Sequence, residues 1–216
     1  LGDVYKRQIE DLASFWQAIA KEFSTFKNIY GYGLMNEPHD LAPETKWFDM
    51  AQASINAIRE VDTNTLIMVG GNDWSSAERW IEQSDTLKFL KDPANNLAFE
   101  AHVYFDKDAS GTYKYSYEEE ECYPEKGIDR VKPFVEWIKQ NKFHGFIGEY
   151  GIPDNDPRWN ETLDLFLGYL QENGINGTYW AAGPWWDTYF MAITPKDGKD
   201  RPQMPIIEKY TSTLKK

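Results

Sequence analysis

Two carboxylic acids stand out by their setting. Glu37 interrupts an apolar run in "YGYGLMNEPHD" (Tyr30 to Asp40), and Glu149 does the same in "FHGFIGEYG" (Phe143 to Gly151). A β-strand alternates its side chains between two faces, so a polar residue at the carboxyl end of an apolar strand belongs to the rim of a sheet rather than its interior. In α/β sheets that rim is where ligands bind. Two acids at one rim have the makings of glycosidic bond cleavage. One protonates the leaving oxygen and the other attacks the anomeric carbon, at a separation of about 5–5.5 Å in the retaining version. That chemistry needs no metal and no cofactor. For either glutamate alone, a salt bridge or a solvated carboxylate is the simpler account, so the neighbours decide.

Those neighbours sit at the ends of further strands. "LIMVGGNDW" (Leu66 to Trp74) closes on Asn72, Asp73 and Trp74, and "LAFEAHVYFD" (Leu97 to Asp106) carries His102 and Tyr104. "GTYWAAGPWW" (Gly177 to Trp186) carries Trp180, with Trp185 and Trp186 beyond it, and Asn36 precedes Glu37 in the first strand. Each strand end is polar or aromatic where the preceding residues are aliphatic. Helices must separate these strands. Leu12, Phe15, Trp16, Ile19, Ala20 and Phe23 fall at helical spacing within Ile9 to Phe26, and Trp47, Ala51, Ile55 and Ile58 repeat the pattern. Further helices are expected over Ser76 to Leu90, Ile128 to Lys142, Asp156 to Asn173 and Met204 to Leu214, with Pro157 in a first turn and Gly174 as a stop. Strand and helix alternating every roughly 30 to 45 residues predict a parallel sheet of βαβ units. No Pro/Ser-rich linker divides the 216 residues, so a single domain over 1–216 is expected.

Composition removes several classes. A formal net charge of −12 opposes contact with phosphate backbones and anionic lipid, so neither nucleic acid nor membrane is an expected partner. No run approaches the roughly 18 apolar residues of a membrane helix, and the start "LGDVYKRQ" lacks an initiating Met and the pattern of a signal peptide. Cys122 is the only cysteine, which excludes an intrachain disulfide. There is no H-E-x-x-H, and the three histidines have no ligand spacing, so no metal is expected. G-x-S-x-G is missing, and "GYGLMN" has Asn where a dinucleotide-binding loop wants its third Gly. The acidic run Glu118 to Glu121 reads as a solvated loop.

"GLMNEPH", "AHVYFDKDASGT", "FIGEYG" and "YWAAGPWW", in this order, resemble glycoside hydrolase family 5, in particular its endo-β-1,4-glucanases. The resemblance runs over nearly the whole chain. It implies a (β/α)8 barrel, a retaining double displacement, and β-glucan as substrate, with mannan or xyloglucan as alternatives within the family. Carried over by motif, Glu37 matches the acid/base, Glu149 the nucleophile, and Asn36 the residue that bonds the sugar 2-hydroxyl. His102 and Tyr104 match a pair beside the nucleophile, Tyr104 being placed to hydrogen-bond it. Trp180 matches the platform under the sugar at the cleavage point, and Trp74 resembles a platform for a flanking sugar. Trp185 or Trp186 is a further candidate platform, with core packing an equal alternative. A non-catalytic β-glucan-binding role is the alternative from another class.

The match also departs from the family. The strands align with barrel strands 4 to 8 and the Ile9 to Phe26 helix with the one before strand 4. A partial (β/α)8 barrel lacking strands 1 to 3 is therefore expected, without the family's Arg near strand 2 and His near strand 3. Unpaired strand edges and uncovered apolar surface invite association, so a homo-oligomer, most simply a dimer, is expected. Polymeric cellulose does not enter cells, so the resemblance implies a secreted parent enzyme.

Overall fold

The computed structural model describes residues 2–42 and 46–211. Five strands follow the order β1-β2-β3-β4-β5. The chain divides into two compact units, Leu1–Ala101 with Glu136–Gly145, and His102–Val135 with Phe146–Lys216.

In the first unit, β1 (Gly31–Gly33) pairs in parallel with β2 (Leu66–Gly70), and β2 with β3 (Leu97–His102). Tyr32 lies opposite Ile67, and Val69 opposite Phe99. β1 is shorter than its apolar run suggests, because glycine at both of its ends weakens strand propensity. Helix α1 (Gly2–Phe23) begins earlier than the periodicity predicts and stops at Ser24 and Thr25, whose hydroxyls compete for backbone groups. It buries only Trp16 and Ala20 of its apolar set; Phe15 remains 55% exposed. Helix α2 (Trp47–Arg59) buries Trp47, Ala51, Ile55 and Ile58, the face its spacing predicts. Both helices tie down strand ends through buried indoles. Trp16 Nε1 donates to the Leu34 carbonyl at 3.0 Å, and Trp47 Nε1 to the Gly70 carbonyl at 2.7 Å.

The stretch Ser76 to Leu90 is not one helix. α3 (Asn72–Ser75) is a distorted turn, α4 (Trp80–Ser84) is short, and a 3-10 turn covers Asp85–Phe89. Ser84, Asp85 and Thr86 are three consecutive residues that favour side-chain bonds over helix continuation. The Ser84 hydroxyl accepts from the Asn72 N–H, and Asp85 accepts from the Trp137 indole and the Lys88 ammonium. Trp80, Phe99, Trp137 and Phe143 form an edge-to-face cluster behind β3, with centroids 4.8–6.4 Å apart.

In the second unit, β4 (His144–Tyr150) pairs in parallel with β5 (Asn176–Tyr179), with a register shift between Ile147 and Tyr150. Helices α6 (Arg158–Glu172) and α7 (Met204–Tyr210) belong to this unit, as does α5 (Lys126–Asn141) as far as Val135. Of the helix expected to reach Leu214, residues 212–214 lie outside the described residues. Pro157 is the N-cap of α6, and Gly174 ends it at φ 66°. The Gly174 N–H reaches the Gln171 carbonyl and the Ile175 N–H the Leu170 carbonyl, the paired bonds of a Schellman stop. The acidic run differs from its expectation at one position. Glu120 is buried, its carboxylate accepting from the Lys107 and Tyr115 N–H groups, while Glu118, Glu119 and Glu121 face water.

The loop before β2 rests on Asp62, 5% exposed. Burial opposes its ionisation, but the Thr65 hydroxyl and N–H, the Asn64 N–H and the Tyr32 hydroxyl all donate to it and outweigh burial, lowering its pKa to about 2. A carboxyl depressed in the folded state stabilises above its unfolded pKa and loses that contribution as pH falls through the folded value. Asp62→Asn is therefore expected to cost about 2 kcal/mol near neutrality, a difference that closes between pH ~4 and ~2. Denaturant unfolding of both proteins across that range is the check.

Candidate active site

The first unit carries Asn36, Glu37 and Trp74. Beyond β1 the ladder continues for one bond, from the Leu34 N–H to the Met68 carbonyl, and the chain then turns away through Met35 to Pro38. Glu37, preceding proline, is disfavoured from the right-handed helical region and sits at φ 47°. It is half-buried and Asn36 is exposed. Gly70 forms the floor of this segment. A Cβ there would lie 3.0 Å from the Met35 carbonyl, 3.0 Å from Ser75 Oγ and 3.5 Å from Pro38 Cδ, so only glycine leaves the segment in place without displacing a neighbour. β2 ends at Gly70, earlier than expected, because the next residues form a left-handed turn. Asp73, Trp74 and Ser75 have φ of 56°, 55° and 55°, a conformation costing roughly 1–2 kcal/mol per non-glycine residue. Surrounding bonds hold it. Asn72 Nδ2 donates to the Gln83 carbonyl at 2.9 Å, Ser75 Oγ to the Gly71 carbonyl at 3.3 Å, and Arg79 pairs with Asp73 at 2.5 Å. The turn leaves Trp74 42% exposed.

The second unit carries His102, Tyr104, Glu149 and Trp180, and it brings the first three together. The Val103 N–H donates to the Glu149 carbonyl at 3.0 Å, fixing the two strand ends in register. The Tyr104 hydroxyl donates to Glu149 Oε2 at 2.8 Å, and His102 Nδ1 stands 3.7 Å from the same oxygen, outside hydrogen-bond reach. Burial, then the charge of Glu149 and the hydrogen bond to it, push the Tyr104 hydroxyl far above the usual phenol range, so it stays a neutral donor. Trp180 follows β5 directly, its N–H on the Tyr150 carbonyl at 2.8 Å. Gly151 permits that approach, since a Cβ would meet the Trp180 carbonyl oxygen at 2.4 Å. Trp186 packs on Trp180 at 4.9 Å, whereas Trp185 is 89% exposed.

Three contributors were not singled out in the sequence. Asp106, wholly buried, accepts from the Gly111 and Thr112 N–H groups and the Ser110 hydroxyl, closing the loop after β3. The signal was present in "FDKDASGT", an Asp followed by small turn-forming residues. Gly111, at φ 72°, lies under the Tyr104 ring, where a Cβ would come within 3.0 Å. Tyr113 accepts from the Phe105 N–H at 2.9 Å and donates to the Gly151 carbonyl at 2.6 Å, bridging the ends of β3 and β4. No sequence pattern marks it.

The family model for cellulase (glycosyl hydrolase family 5) matches residues 3–185. The chain belongs to this family. Among curated relatives it is 36% identical over 193 residues to endo-β-1,4-glucanase B of Emericella nidulans, covering 87% of this chain and 56% of that protein. Among solved structures it resembles Pseudomonas stutzeri endoglucanase Cel5A, with TM-score 0.87 and 41% identity over 95% of this chain and 62% of that one. XacCel5A, solved in complex with cellopentaose, gives TM-score 0.85 and 38% identity over 94% of this chain and 66% of that one. The chain thus spans a little over half the length of the curated relative. The fold class is as expected, strands and helices of a partial (β/α)8 barrel. Among the described residues no helix is long and apolar enough to cross a membrane.

Tyr113→Phe removes one hydroxyl and leaves a buried N–H and a buried carbonyl without their partner. It is expected to lower stability by about 1–3 kcal/mol, read as a lower unfolding midpoint, without loss of secondary structure by circular dichroism.

Proposed function

We propose that this chain carries the catalytic glutamates of a retaining endo-β-1,4-glucanase, with Glu149 as nucleophile and Glu37 as acid/base. The observation that carries the reading is the Tyr104–Glu149 hydrogen bond, 2.8 Å long, at the end of an apolar strand. A nucleophilic carboxylate must be ionised and aimed, and a neutral phenol does both without neutralising its charge. In the proposed cycle Glu37 protonates the leaving glycosidic oxygen as Glu149 attacks the anomeric carbon. Glu37, now a base, then activates the water that releases the sugar from Glu149. Asn36 bonds the sugar 2-hydroxyl, a contact that strengthens as the oxocarbenium-like state forms. His102 lines the nucleophile's side of the site, while Trp180 and Trp74 are stacking platforms. The cellopentaose held by XacCel5A supports β-1,4-glucan as the substrate class. A secreted parent enzyme fits a substrate that stays outside cells.

Glu149→Ala is expected to abolish release of reducing sugar from carboxymethylcellulose. Glu37→Ala is expected to retain activity on a substrate with an activated leaving group and to gain rate with azide, which needs no general base. Turnover like the wild type in either variant removes that residue from its role. A wild-type chain retained by glucan in affinity electrophoresis but releasing no sugar would instead mark a binding remnant.

We also propose that the chain forms a homo-oligomer, most simply a dimer, that covers unpaired strand edges and exposed apolar surface. Phe15 in α1 is 55% exposed, and Phe26 and Tyr30 beyond it are 51% and 68% exposed; apolar surface of this kind favours association. Light scattering is expected to give twice the chain mass; a folded monomer across a wide concentration range overturns the proposal.

A further inference from the structure

Within the first unit, the segment that follows Glu37 meets the turn that displays Trp74. The His39 imidazole lies flat on the Trp74 indole, with centroids 4.4 Å apart and planes 14° from parallel. Asp40 Oδ2 stands 3.0 Å from His39 Nδ1 and holds the ring by its edge. An open cleft of about 470 Å³ adjoins the pair, bordered also by Asn72, Asp73, Gln83 and Thr86. That volume lies in the range of small-molecule sites, about 300–1,000 Å³.

An exposed indole can serve a sugar with either face, and without support it changes rotamer on a picosecond to nanosecond scale. A ligand that stacks on it must then order it, which weakens binding. Here the imidazole covers one face of the indole, and both rings border the cleft. The turn beneath is already fixed by Asn72, Ser75 and the Arg79–Asp73 pair.

We infer that His39 is a positioning residue: it backs Trp74, so that the indole offers a single, pre-ordered face to a glucan unit in this cleft. His39 lies two residues beyond Glu37, so the platform is referenced to the segment that carries the proposed acid. The inference rests on the reading of Trp74 as a sugar platform. It assigns His39 a role in affinity and none in proton transfer.

The test is equilibrium binding of cellopentaose to the whole chain, which needs no turnover, comparing wild type with H39A, H39F, W74A and H39A/W74A. Thermal unfolding of each variant confirms that it is folded. H39A is expected to weaken binding roughly three- to tenfold, the scale of one aromatic pair. H39F, which restores a flat ring, is expected to recover most of that loss, and H39A/W74A to bind no worse than W74A. A purely structural role predicts neither recovery nor this non-additivity. H39A binding like the wild type, or a loss that adds in full to that of W74A, overturns the inference while leaving the platform standing. W74A binding like the wild type removes the platform itself and the inference with it.

Discussion

A parallel strand that stops at a rim leaves its last N–H and carbonyl groups without ladder partners, and where these are shielded from water each unmet group carries a penalty. This chain meets that constraint with side chains sent from helices and loops. In the first unit the indoles of Trp16 and Trp47 take the Leu34 and Gly70 carbonyls. In the second, Arg130 takes the Tyr104 carbonyl, Tyr113 bridges Phe105 and Gly151, and the Tyr179 hydroxyl both accepts from and donates to Ile152. Each donor is large and mostly buried, so satisfying the backbone and packing the core are one act. Of the proposed site residues, Asn36 lies two positions from Leu34, His102 two from Tyr104, and Glu149 two from Gly151.

That arrangement explains what the sequence disclosed. The alternation of apolar runs and amphipathic stretches, and the polar residue closing each run, are written in side-chain types, so the strands ending near Glu37, His102, Glu149 and Trp180 could be read directly. What could not be read depends on distant partners. Asn72 to Ser75 looks like a strand end because Trp74 has high strand propensity; the left-handed turn is selected by Ser84, Gln83 and Arg79. Glu120 sits among three exposed glutamates, and only the N–H groups of Lys107 and Tyr115 single it out. His39 has no spacing relation to Trp74 that a sequence would reveal, since helix α2 and strand β2 lie between them along the chain.

The choice of partner for Glu149 also has a physical logic. Asp62 and Asp92 are held as anions by multiple donors, Asp92 by a two-pronged Arg59. Such carboxylates stay ionised to lower pH than usual, because their donors outweigh burial. Glu149 Oε2 receives the Tyr104 phenol at 2.8 Å, and His102 Nδ1 stands 3.7 Å from the same oxygen. A neutral phenol orients a carboxylate oxygen without cancelling its charge, which suits the role proposed for Glu149.

The two glutamates stand on different kinds of backbone, and that difference bears on the work proposed for them. Glu149 projects from a strand whose backbone is bonded on both sides of the residue, at Val103 and through Thr178 to the Gly148 carbonyl. Glu37 stands in a left-handed loop position, with Met35 and Pro38 of the same segment lying close over Gly70. A nucleophile forms a covalent bond and tolerates little error in position, so a strand suits it. An acid/base must serve first a departing oxygen and then an incoming water, and its proton bridges a small change of distance that a covalent bond would not. Placing that acid on a loop, and bracing the loop at Gly70 and at the His39–Trp74 stack, gives it definition without the rigidity of a ladder.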